Sequence, residues 1–390
     1  MTTVLFVITG LERAGAETAL LQLISQLQSA SIRCACIALR DGPCRENLET
    51  MQIPTFVMER RFLGIRWYRV LGALRFAKGM APYVVQGWMY HGNLFAMFLR
   101  RVMLRHVPLY WGIRHGLSTL SQERWTTALA IRLCARLSGM VDAILYNSFR
   151  SAERHEQLGF RTERTRVILN GVDTELFAPD LKKRAAIREQ LRVRDDQLLV
   201  GVIARNHPDK DPMNFLRAVA LLARRLPMLR AVMVGKGYDA LKDTVLSQRL
   251  VSRSILTYID ATSDVLSILQ GLDLLVCPSR NESFPNVVAE SMSCAIPCVV
   301  TDVGDAALLV GESGRVVAPG DSEALAAAIE EFAKSPDEQH RRMQAEARAR
   351  VVKYFSIERM KEKYIALYAG NAASIADEGS FDGTVQGEVA

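Results

Sequence analysis

The chain has 390 residues, of which 49% are hydrophobic and 23% charged, and this balance is typical of globular domains. At about 100–200 residues per domain, the length predicts two domains. The net charge of +7 comes from the first half, since residues 1–175 contain 22 Lys and Arg against 13 Asp and Glu, while the remainder contains 27 against 29. Such a basic half suits an anionic membrane, a phosphorylated acceptor or nucleic acid, or is an ordinary basic surface. No nucleic-acid-binding motif accompanies it, so nucleic acid is not expected as a partner.

The N-terminus and the cysteines bear on location. Met1 leads directly into the apolar run Val4–Ile8, without the basic segment or cleavage pattern of an export signal. No uncharged apolar run approaches the roughly 18 residues that span a bilayer. The seven cysteines form no CxxC pair, so neither a disulfide framework nor a zinc site is predicted. We therefore expect a cytoplasmic protein, with a place at the inner face of the membrane left open.

Strand-like apolar runs alternate with amphipathic helical stretches from the start of the chain. Val4–Thr9 predicts a strand, and a loop at Gly10–Gly15 leads into a helix from Ala16 to about Ser29. Further strands are predicted at Ile32–Leu39, Tyr83–Gln86, Leu109–Ile113 and Ala143–Tyr146. This alternation is typical of a parallel sheet with helices on both faces.

A turn-rich segment at Asn170–Pro179 interrupts the series, and the same pattern then begins again. Strands are predicted at Leu198–Ile203, Leu229–Val234, Ile255–Tyr258, Leu274–Cys277 and Pro297–Thr301. The sequence thus predicts an α/β fold of two Rossmann-like domains, residues 1–170 and 171–370, facing each other across a cleft. Residues 371–390 are small, polar and acidic, and predict a disordered tail. Whether the last helix packs back on the first domain is left open.

The sharpest group of polar residues follows the strand at Leu274–Cys277. A helix is predicted to begin at Pro285 and Asn286, and the unpaired N–H groups of its first turn would form a phosphate-binding end. Glu282 precedes that end, and Glu290 lies eight residues later inside the helix.

Two carboxylates beside an anion site require compensating positive charge. The loop after Leu198–Ile203 supplies it with Arg205 and Lys210, so a diphosphate could be neutralised without a metal. Asp209-Lys210-Asp211 also matches the DxD metal signature. Asp211 is interpreted instead as the cap of a helix that starts at Pro212, and no metal is expected.

The Arg-x4-Lys loop followed by Glu-x7-Glu resembles the retaining glycosyltransferases of family 4, which have the GT-B fold. Other segments that resemble this family are Gly10–Glu17, Tyr146–Ser148, Asn170–Asp173, and Phe177 with Pro179. The resemblance covers about residues 1–370. It implies transfer of a sugar from a nucleoside-diphosphate sugar, UDP preferred and GDP second, to a hydroxyl of a glycan or lipid-linked acceptor. It further implies retention, no cofactor, and a place in cell-surface polysaccharide or glycolipid assembly.

The resemblance also implies roles for individual residues. Arg205 and Lys210 would hold the donor diphosphate, Glu290 the ribose hydroxyls, and Glu282 the hydroxyls of the transferred sugar. The remaining donor-site residues would be Gly15, Gly235, Ile259, and the backbone N–H groups of Phe284, Asn286 and Val287. His115, just after Leu109–Ile113, would be the catalytic residue on the acceptor side.

The acceptor side leaves two other candidates, Arg114 and His91, the latter following the strand and loop Val85–Tyr90. Two segments that mix basic and apolar residues, Arg60–Arg69 and Arg100–Arg105, suit docking to an anionic membrane surface. They are equally compatible with solvated helix faces.

Three other functions compete with the glycosyltransferase interpretation. A nicotinamide-dependent dehydrogenase is disfavoured because the loop Gly10–Gly15 lacks the second glycine of GxGxxG. A sugar-nucleotide epimerase of the same fold would bind the same donor without needing an acceptor. A catalytically silent scaffold would not need the charged loop of Arg205 and Lys210, which is intact here.

Overall fold

The computed structural model describes residues 3–59, 67–117, 119–239, 241, 251–252, 254–262 and 264–370. The tail predicted at 371–390 and most of the Arg60–Arg69 segment lie outside these residues. The described chain divides into two compact units. The first contains the chain up to Asn170 and the segment from Glu358 onwards, and the second runs from Gly171 to Ile357.

Strands and helices alternate along both units. The strands are β1 Thr3–Ile8, β2 Arg33–Arg40, β3 Thr55–Glu59, β4 Val84–Trp88, β5 Leu109–Ile113, β6 Ala143–Tyr146, β7 Thr165–Val167, β8 Leu198–Ile203, β9 Leu229–Val234, β10 Leu256–Ile259, β11 Leu274–Cys277, β12 Cys298–Thr301 and β13 Arg315–Val317. The helices are α1 Gly15–Ser29, α2 Cys44–Thr50, α3 Trp67–Met80, α4 Met89–Val102, α5 Trp125–Leu137, α6 Phe149–Gln157, α7 Leu181–Gln190, α8 Pro212–Leu222, α9 Val265–Gly271, α10 Asn286–Ser293, α11 Ala306–Val310, α12 Ser322–Lys334, α13 Asp337–Tyr354 and α14 Ile357–Tyr368.

Each unit has its own parallel sheet. In the described residues the first sheet has the order β3-β2-β1-β4-β5-β6-β7, and the second has the order β10-β9-β8-β11-β12-β13. Both orders reverse direction once, between β1 and β4 in the first sheet and between β8 and β11 in the second. The loops that leave such neighbouring strands diverge, which opens a ligand-binding crevice at the carboxyl edge of the sheet. The predicted pair of parallel-sheet α/β domains is therefore confirmed.

Burial explains why the longer strands could be located from the sequence. All six residues of β1 are buried, and so are all those of β4, β5, β6, β11 and β12. A strand covered by helices on both faces needs an uninterrupted apolar run, and such a run is easy to find. The sequence reading missed β3, β7 and β13. The residues of β7 and β13 are only partly buried or exposed, so they carry a weaker apolar signal.

The last helix, α14, belongs to the first unit. The Tyr368 hydroxyl donates a hydrogen bond to Gln86 of β4, and the Tyr110 hydroxyl donates one to the Leu367 carbonyl at 3.4 Å. Tyr364 and Tyr368 are both almost completely buried. The C-terminal segment therefore packs against the first sheet, which settles the point that the sequence left open.

Two further features of the described residues concern membranes and metals. None of the helices in the described ranges combines the length and hydrophobicity that a membrane span requires. Within those ranges, no group of three or more His, Cys, Asp or Glu side chains is arranged to hold a metal ion.

Candidate functional site

The candidate site lies at the carboxyl edge of the second sheet, where β8 and β11 are neighbours. The loop after β8 carries Arg205 and Lys210, and the loop after β11 carries Glu282. The two loops are joined directly, because the backbone N–H groups of Arg280 and Asn281 donate to the Asp209 carbonyl at 2.7 and 3.3 Å. Residues 69 or more positions apart in the sequence are thus brought to the single reversal point of this sheet.

Lys210 and Glu282 form an ion pair with 2.5 Å between Nζ and Oε1. Both side chains are largely buried, with 26% and 10% of their surface exposed. Burial lowers the pKa of Lys210, but the attraction of the Glu282 carboxylate outweighs it, and the pKa is raised above its ordinary value. Lys210 therefore carries its full charge at neutral pH.

Ser279 is a third member of this group that the sequence reading did not single out. Its hydroxyl donates to the same Glu282 oxygen at 2.8 Å, so Oε1 accepts from a cation and a hydroxyl at once. The only sequence signal was its position, two residues beyond the end of β11, where side chains of a parallel sheet reach the functional edge.

Arg205 is exposed, and no side chain or carbonyl of the described residues bonds to its guanidinium. It lies close enough to Lys210 for its charge to lower the Lys210 pKa. Lys210 is paired with Glu282 and Arg280 with Asp211, whereas the guanidinium of Arg205 is exposed and would be met by an approaching anion.

Asp211 has a structural role. One carboxylate oxygen accepts from the Asn214 N–H at 3.3 Å and caps α8, and the other accepts from Arg280 Nε at 2.6 Å. Its backbone is left-handed, with φ +39°. The interpretation of Asp211 as a helix cap is confirmed.

The first turn of α10 presents donors beside this group. The helix begins at Asn286, next to the predicted Pro285–Asn286 start, and no side chain caps it. Among the described residues, the backbone N–H groups of Phe284 and Val287 have no acceptor. Free donors and the positive end of the helix dipole both favour an anion at this position.

Glu290 lies just over one turn beyond the start of α10, in partly buried surroundings. Burial raises the pKa of its carboxyl from 4.5 to about 7. No hydrogen bond or ion pair to this carboxylate is made by the described residues. It is therefore a buried acceptor with free hydrogen-bonding capacity near the helix end, as a group that holds paired hydroxyls would be.

Gly235 and Ile259 fix neighbouring loops to the β8 loop. The Gly235 N–H donates to the Ile259 carbonyl at 3.0 Å, and the Asn206 N–H donates to the Lys236 carbonyl at 2.9 Å. Gly235 has φ +143°, and a Cβ at this position would lie 2.0 Å from the Ala204 carbonyl oxygen. Only glycine allows this close approach, so Gly235 shapes the loop that carries Arg205.

Gly304, which the sequence reading did not select, does the same for the β11 loop. Its φ is +53°, and an added Cβ would lie 2.5 Å from the carbonyl oxygens of Glu282 and Ser283. The next residue, Asp305, donates its N–H to the Ser283 carbonyl at 2.9 Å. The loop after β12 therefore supports the backbone of Glu282.

In the first unit, His115 lies just beyond β5 in a chain of polar rings. Its Nδ1 is 3.2 Å from the Tyr90 hydroxyl and its Nε2 is 3.4 Å from Glu123. The Tyr90 hydroxyl is also 2.7 Å from Nε2 of His155, whose pKa burial lowers to about 4. His115 keeps 29% of its side chain exposed, while its two ring nitrogens are held from both sides.

Arg114 and His91 occupy different settings from His115. Arg114 donates to Asn170 and, at 2.6 Å, to the Tyr364 hydroxyl, with its guanidinium 4.4 Å from the Trp88 ring centre. Through these contacts Arg114 connects separate segments of the first unit, which is a structural role. His91 lies in the first turn of α4, because this helix starts directly after β4. The sequence had predicted a loop at this place. Burial lowers its pKa.

Gly15 starts α1 and is exposed. An added Cβ would meet no atom within 4 Å. Its role at the donor therefore stays a prediction from the resemblance, without a steric reason in the described residues.

Comparison with known proteins identifies the family. Residues 13–176 match the description "Glycosyltransferase Family 4", and residues 183–350 match "Glycosyl transferases group 1". Together the two matches span nearly the whole described chain. The chain belongs to the family 4, group 1 glycosyltransferases. It is therefore a transferase enzyme, as the motifs predicted.

Individual relatives agree with this assignment. The chain is 27% identical over 295 residues to the lipopolysaccharide core biosynthesis mannosyltransferase LpsB of Rhizobium meliloti, covering 72% of this glycosyltransferase and 78% of LpsB. It is 27% identical over 213 residues to an Escherichia coli UDP-Gal:alpha-D-GlcNAc-diphosphoundecaprenol alpha-1,3-galactosyltransferase, covering 52% and 53% of the two chains.

Solved structures show the same fold. HepE from Anabaena in complex with UDP superposes with a TM-score of 0.82 at 21% identity, covering 95% of this chain and all of HepE. HepE in complex with UDP-glucose superposes with a TM-score of 0.79 at 23% identity, and the match covers 96% of this chain and all of HepE. The fold is the GT-B type, which confirms the expected fold class.

Proposed function

We propose that this glycosyltransferase moves a sugar from a UDP-sugar to a hydroxyl of a glycan or lipid-linked acceptor, with retention of the anomeric configuration. The observation that carries the proposal is the group at the β8–β11 reversal, in which the Lys210–Glu282 pair lies beside the unpaired Arg205. The preference for UDP has support from HepE, solved with UDP and with UDP-glucose, and from the galactosyltransferase relative named for UDP-Gal. The relatives LpsB and the galactosyltransferase support a place in polysaccharide or glycolipid assembly.

The proposed donor lies along the carboxyl edge of the second sheet. Arg205, Lys210 and the free N–H groups of Phe284 and Val287 would bind the diphosphate. Glu290 would accept hydrogen bonds from both ribose hydroxyls, for which two carboxylate oxygens are suited. Asn286, Gly235 and Ile259 would border the nucleotide, and the proposal involves no metal or cofactor.

The proposed chemistry is stabilisation of the departing diphosphate. As the bond from the anomeric carbon to the diphosphate oxygen breaks, negative charge grows on that oxygen, and fixed cations there lower the barrier. A double displacement would need a free carboxylate nucleophile. Glu282 is engaged by Lys210 and Ser279, so we favour attack of the acceptor hydroxyl on the same face, with its proton passing to the diphosphate oxygen. His115, oriented by Tyr90 and Glu123, is the proposed catalytic residue on the acceptor side.

Ligand-induced thermal shift tests the donor site directly. UDP, GDP, ADP and NAD are compared on the wild type and on the Arg205→Ala/Lys210→Ala variant. At about 100 times its dissociation constant, a bound nucleotide adds about 2.7 kcal/mol of stability. We expect UDP to raise the melting temperature of the wild type and to have little effect on the variant.

The matched control is Arg225→Ala/Lys334→Ala, which removes one Arg and one Lys from exposed positions on the same unit. It should respond to UDP like the wild type. If no nucleoside diphosphate stabilises the wild type, or if the Arg205→Ala/Lys210→Ala variant responds equally, the proposed donor site is wrong.

Glu290→Gln should separate stability from donor binding. A carboxyl whose pKa is raised by folding makes the protein less stable as pH rises from about 4.5 to about 7, because the folded state must then ionise a buried group. Removing the charge should therefore stabilise the ligand-free protein at pH 8 by about 1–3 kcal/mol, and by almost nothing near pH 4.5. The same variant should bind UDP about tenfold more weakly, since the amide offers one acceptor oxygen in place of two.

Denaturant unfolding at both pH values and UDP titration measure these two effects. Glu189→Gln, at an exposed position of α7, is the control and should change neither quantity. Equal stability of Glu290→Gln and wild type at pH 8 would contradict the burial of this carboxyl, whereas unchanged UDP affinity would remove its ribose role.

A further inference from the structure

Helix α5 exposes an apolar stripe to solvent. Trp125, Leu129 and Leu133 are 78%, 56% and 42% exposed, and their spacing of four residues puts them on one face of the helix. The opposite face is also apolar, with Ile131 and Cys134 completely buried in the core of the first unit. A surface helix normally has one apolar face, turned inward. The second apolar face of α5 therefore needs an explanation outside the core.

The end of α4 extends this surface. Phe98, Val102 and Met103 are 39%, 49% and 39% exposed, and α4 packs against α5. Arg100 and Arg101 reach from α4 to Met140, just beyond α5, donating to its carbonyl at 2.7 Å and its sulfur at 3.2 Å. We call the joint surface the α4–α5 face. Its apolar members are Phe98, Val102, Met103, Trp125, Leu129, Leu133 and Met140.

Arginines surround these apolar residues. Between Met89 and Asp142 the sequence contains seven arginines and two acidic residues, Glu123, which contacts His115, and Asp142, which pairs with Arg100. The exposed arginines of the α4–α5 face are Arg101, Arg105, Arg124, Arg132 and Arg136. Helices α4 and α5 contain no acidic residue at all. The face is thus strongly cationic as well as apolar.

We propose that the α4–α5 face docks on the surface of an anionic lipid bilayer. Arginine guanidinium groups bind lipid phosphates, while Trp and Leu side chains enter the boundary between headgroups and acyl chains. Both chemistries occur here on one surface. A second copy of the chain would bring the same positive charge to the contact, and such like-charge opposition disfavours self-association.

This inference does not rest on the proposed donor site. It does fit a lipid-linked acceptor, because the acceptor would then be held in the same membrane. Of the two segments that the sequence suggested for membrane contact, Arg100–Arg105 belongs to the α4–α5 face, and most of Arg60–Arg69 lies outside the described residues. The apolar stripe of α5 gave no signal, because an apolar helical pattern in sequence predicts a buried face.

Vesicle flotation of the full chain tests the proposal. Vesicles of phosphatidylcholine alone are compared with vesicles in which about one third of the lipid is phosphatidylglycerol, at low and at high salt. We expect binding to the anionic vesicles, little binding to the neutral ones, and weaker binding as salt rises. Equal binding to both kinds of vesicle, or binding to neither, would overturn the proposal.

Two variants locate the contact. Trp125→Ser/Leu129→Ser/Leu133→Ser removes the stripe, and Arg132→Glu/Arg136→Glu reverses two charges beside it. Each should lower partitioning about tenfold or more, without lowering the melting temperature, because all five side chains are exposed. The control Leu176→Ser/Leu181→Ser removes two apolar residues that are 57% and 82% exposed on the second unit, and should bind like the wild type.

Tryptophan emission reports where the contact forms. Trp88 and Trp111 are fully buried, so in a Trp67→Phe background Trp125 is the exposed tryptophan of the described chain. Its emission should shift to shorter wavelength with anionic vesicles and not with neutral ones. If either stripe or charge variant floats like the wild type, the membrane contact lies elsewhere. If the wild type sediments as a dimer that these variants abolish, with no vesicle binding, the face is a contact between copies of this chain.

Discussion

Lys210→Ala should lower turnover by about two orders of magnitude or more, as expected when one donor that stabilises developing charge is lost. Lys210 is fixed by Glu282 and carries its charge at neutral pH, so it need not reorganise when the diphosphate departs. Because this stabilisation grows along the reaction, the loss should appear in kcat and in kcat/KM together. The measurement is the rate of UDP release from the proposed UDP-sugar donor, compared with that of the wild type.

The controls separate chemistry from folding. Lys210→Ala leaves the largely buried Glu282 with the Ser279 hydroxyl and the Cys277 thiol as its neutral partners and without a paired cation, so the variant should also melt at a lower temperature. Kinetics are therefore measured well below its melting point. Lys334→Ala removes an exposed lysine that pairs with Glu330 on the same unit, and its kcat should equal that of the wild type. A Lys210→Ala enzyme with near wild-type kcat would exclude Lys210 from the leaving-group site.

Gly235→Ala should give the largest loss of stability, about 4 kcal/mol or more. The new Cβ would lie 2.0 Å from the Ala204 carbonyl oxygen. Ala204 and Gly235 directly follow the adjacent strands β8 and β9, so the clash involves the backbone itself. The φ of +143° adds strain for any residue with a side chain. Neither strand can move without disturbing the Ala204 N–H bond to Val234 or the Gly235 N–H bond to Ile259. Since domains are stable by only about 5–15 kcal/mol, we expect little soluble Gly235→Ala protein at 37 °C.

Gly79→Ala is the matched control for this prediction. Gly79 lies exposed in the last turn of α3, and no atom lies within 4 Å of an added Cβ. Alanine there should leave the free energy of unfolding unchanged or raise it by up to about 1 kcal/mol. Soluble yield and denaturant unfolding compare the two variants. If the free energy of unfolding of Gly235→Ala is within about 0.5 kcal/mol of the wild-type value, the loops after β8 and β9 do not approach as closely as described.

The positions of the charged residues at the edge of the second sheet could be predicted because their signals are local. Arg205, Lys210 and Glu282 follow recognisable strands, and parallel strands place such positions at one edge. Glu290 lies inside the helix that begins just beyond this edge. Their partners could not be predicted. The bond of Ser279 to Glu282 and the contact of Gly304 with the Glu282 carbonyl join separate loops, and no spacing in the sequence encodes such a pair.

The surroundings of His115 show more clearly what could not be predicted from the sequence. His115 could be chosen from its place after β5, but its neighbours Tyr90 and Glu123 come from α4 and from the loop before α5. The sequence also left Arg114 and His91 as alternatives. Only the packing of Arg114 against Trp88 and Tyr364, and the immediate start of α4 after β4, separates these residues from His115.

By itself, the sequence determined the two α/β series, the family, the group of charges after β8 and β11, and the cap at Asp211. These follow from apolar runs, turn residues and charges that act over a few neighbouring positions. The tertiary structure alone decided the sheet orders that bring β8 beside β11, the return of α14 to the first sheet, and the exposure of Trp125, Leu129 and Leu133. Those features depend on which surfaces meet after folding. A helix with two apolar faces looks the same in sequence whichever face the core takes, and only packing chooses between them.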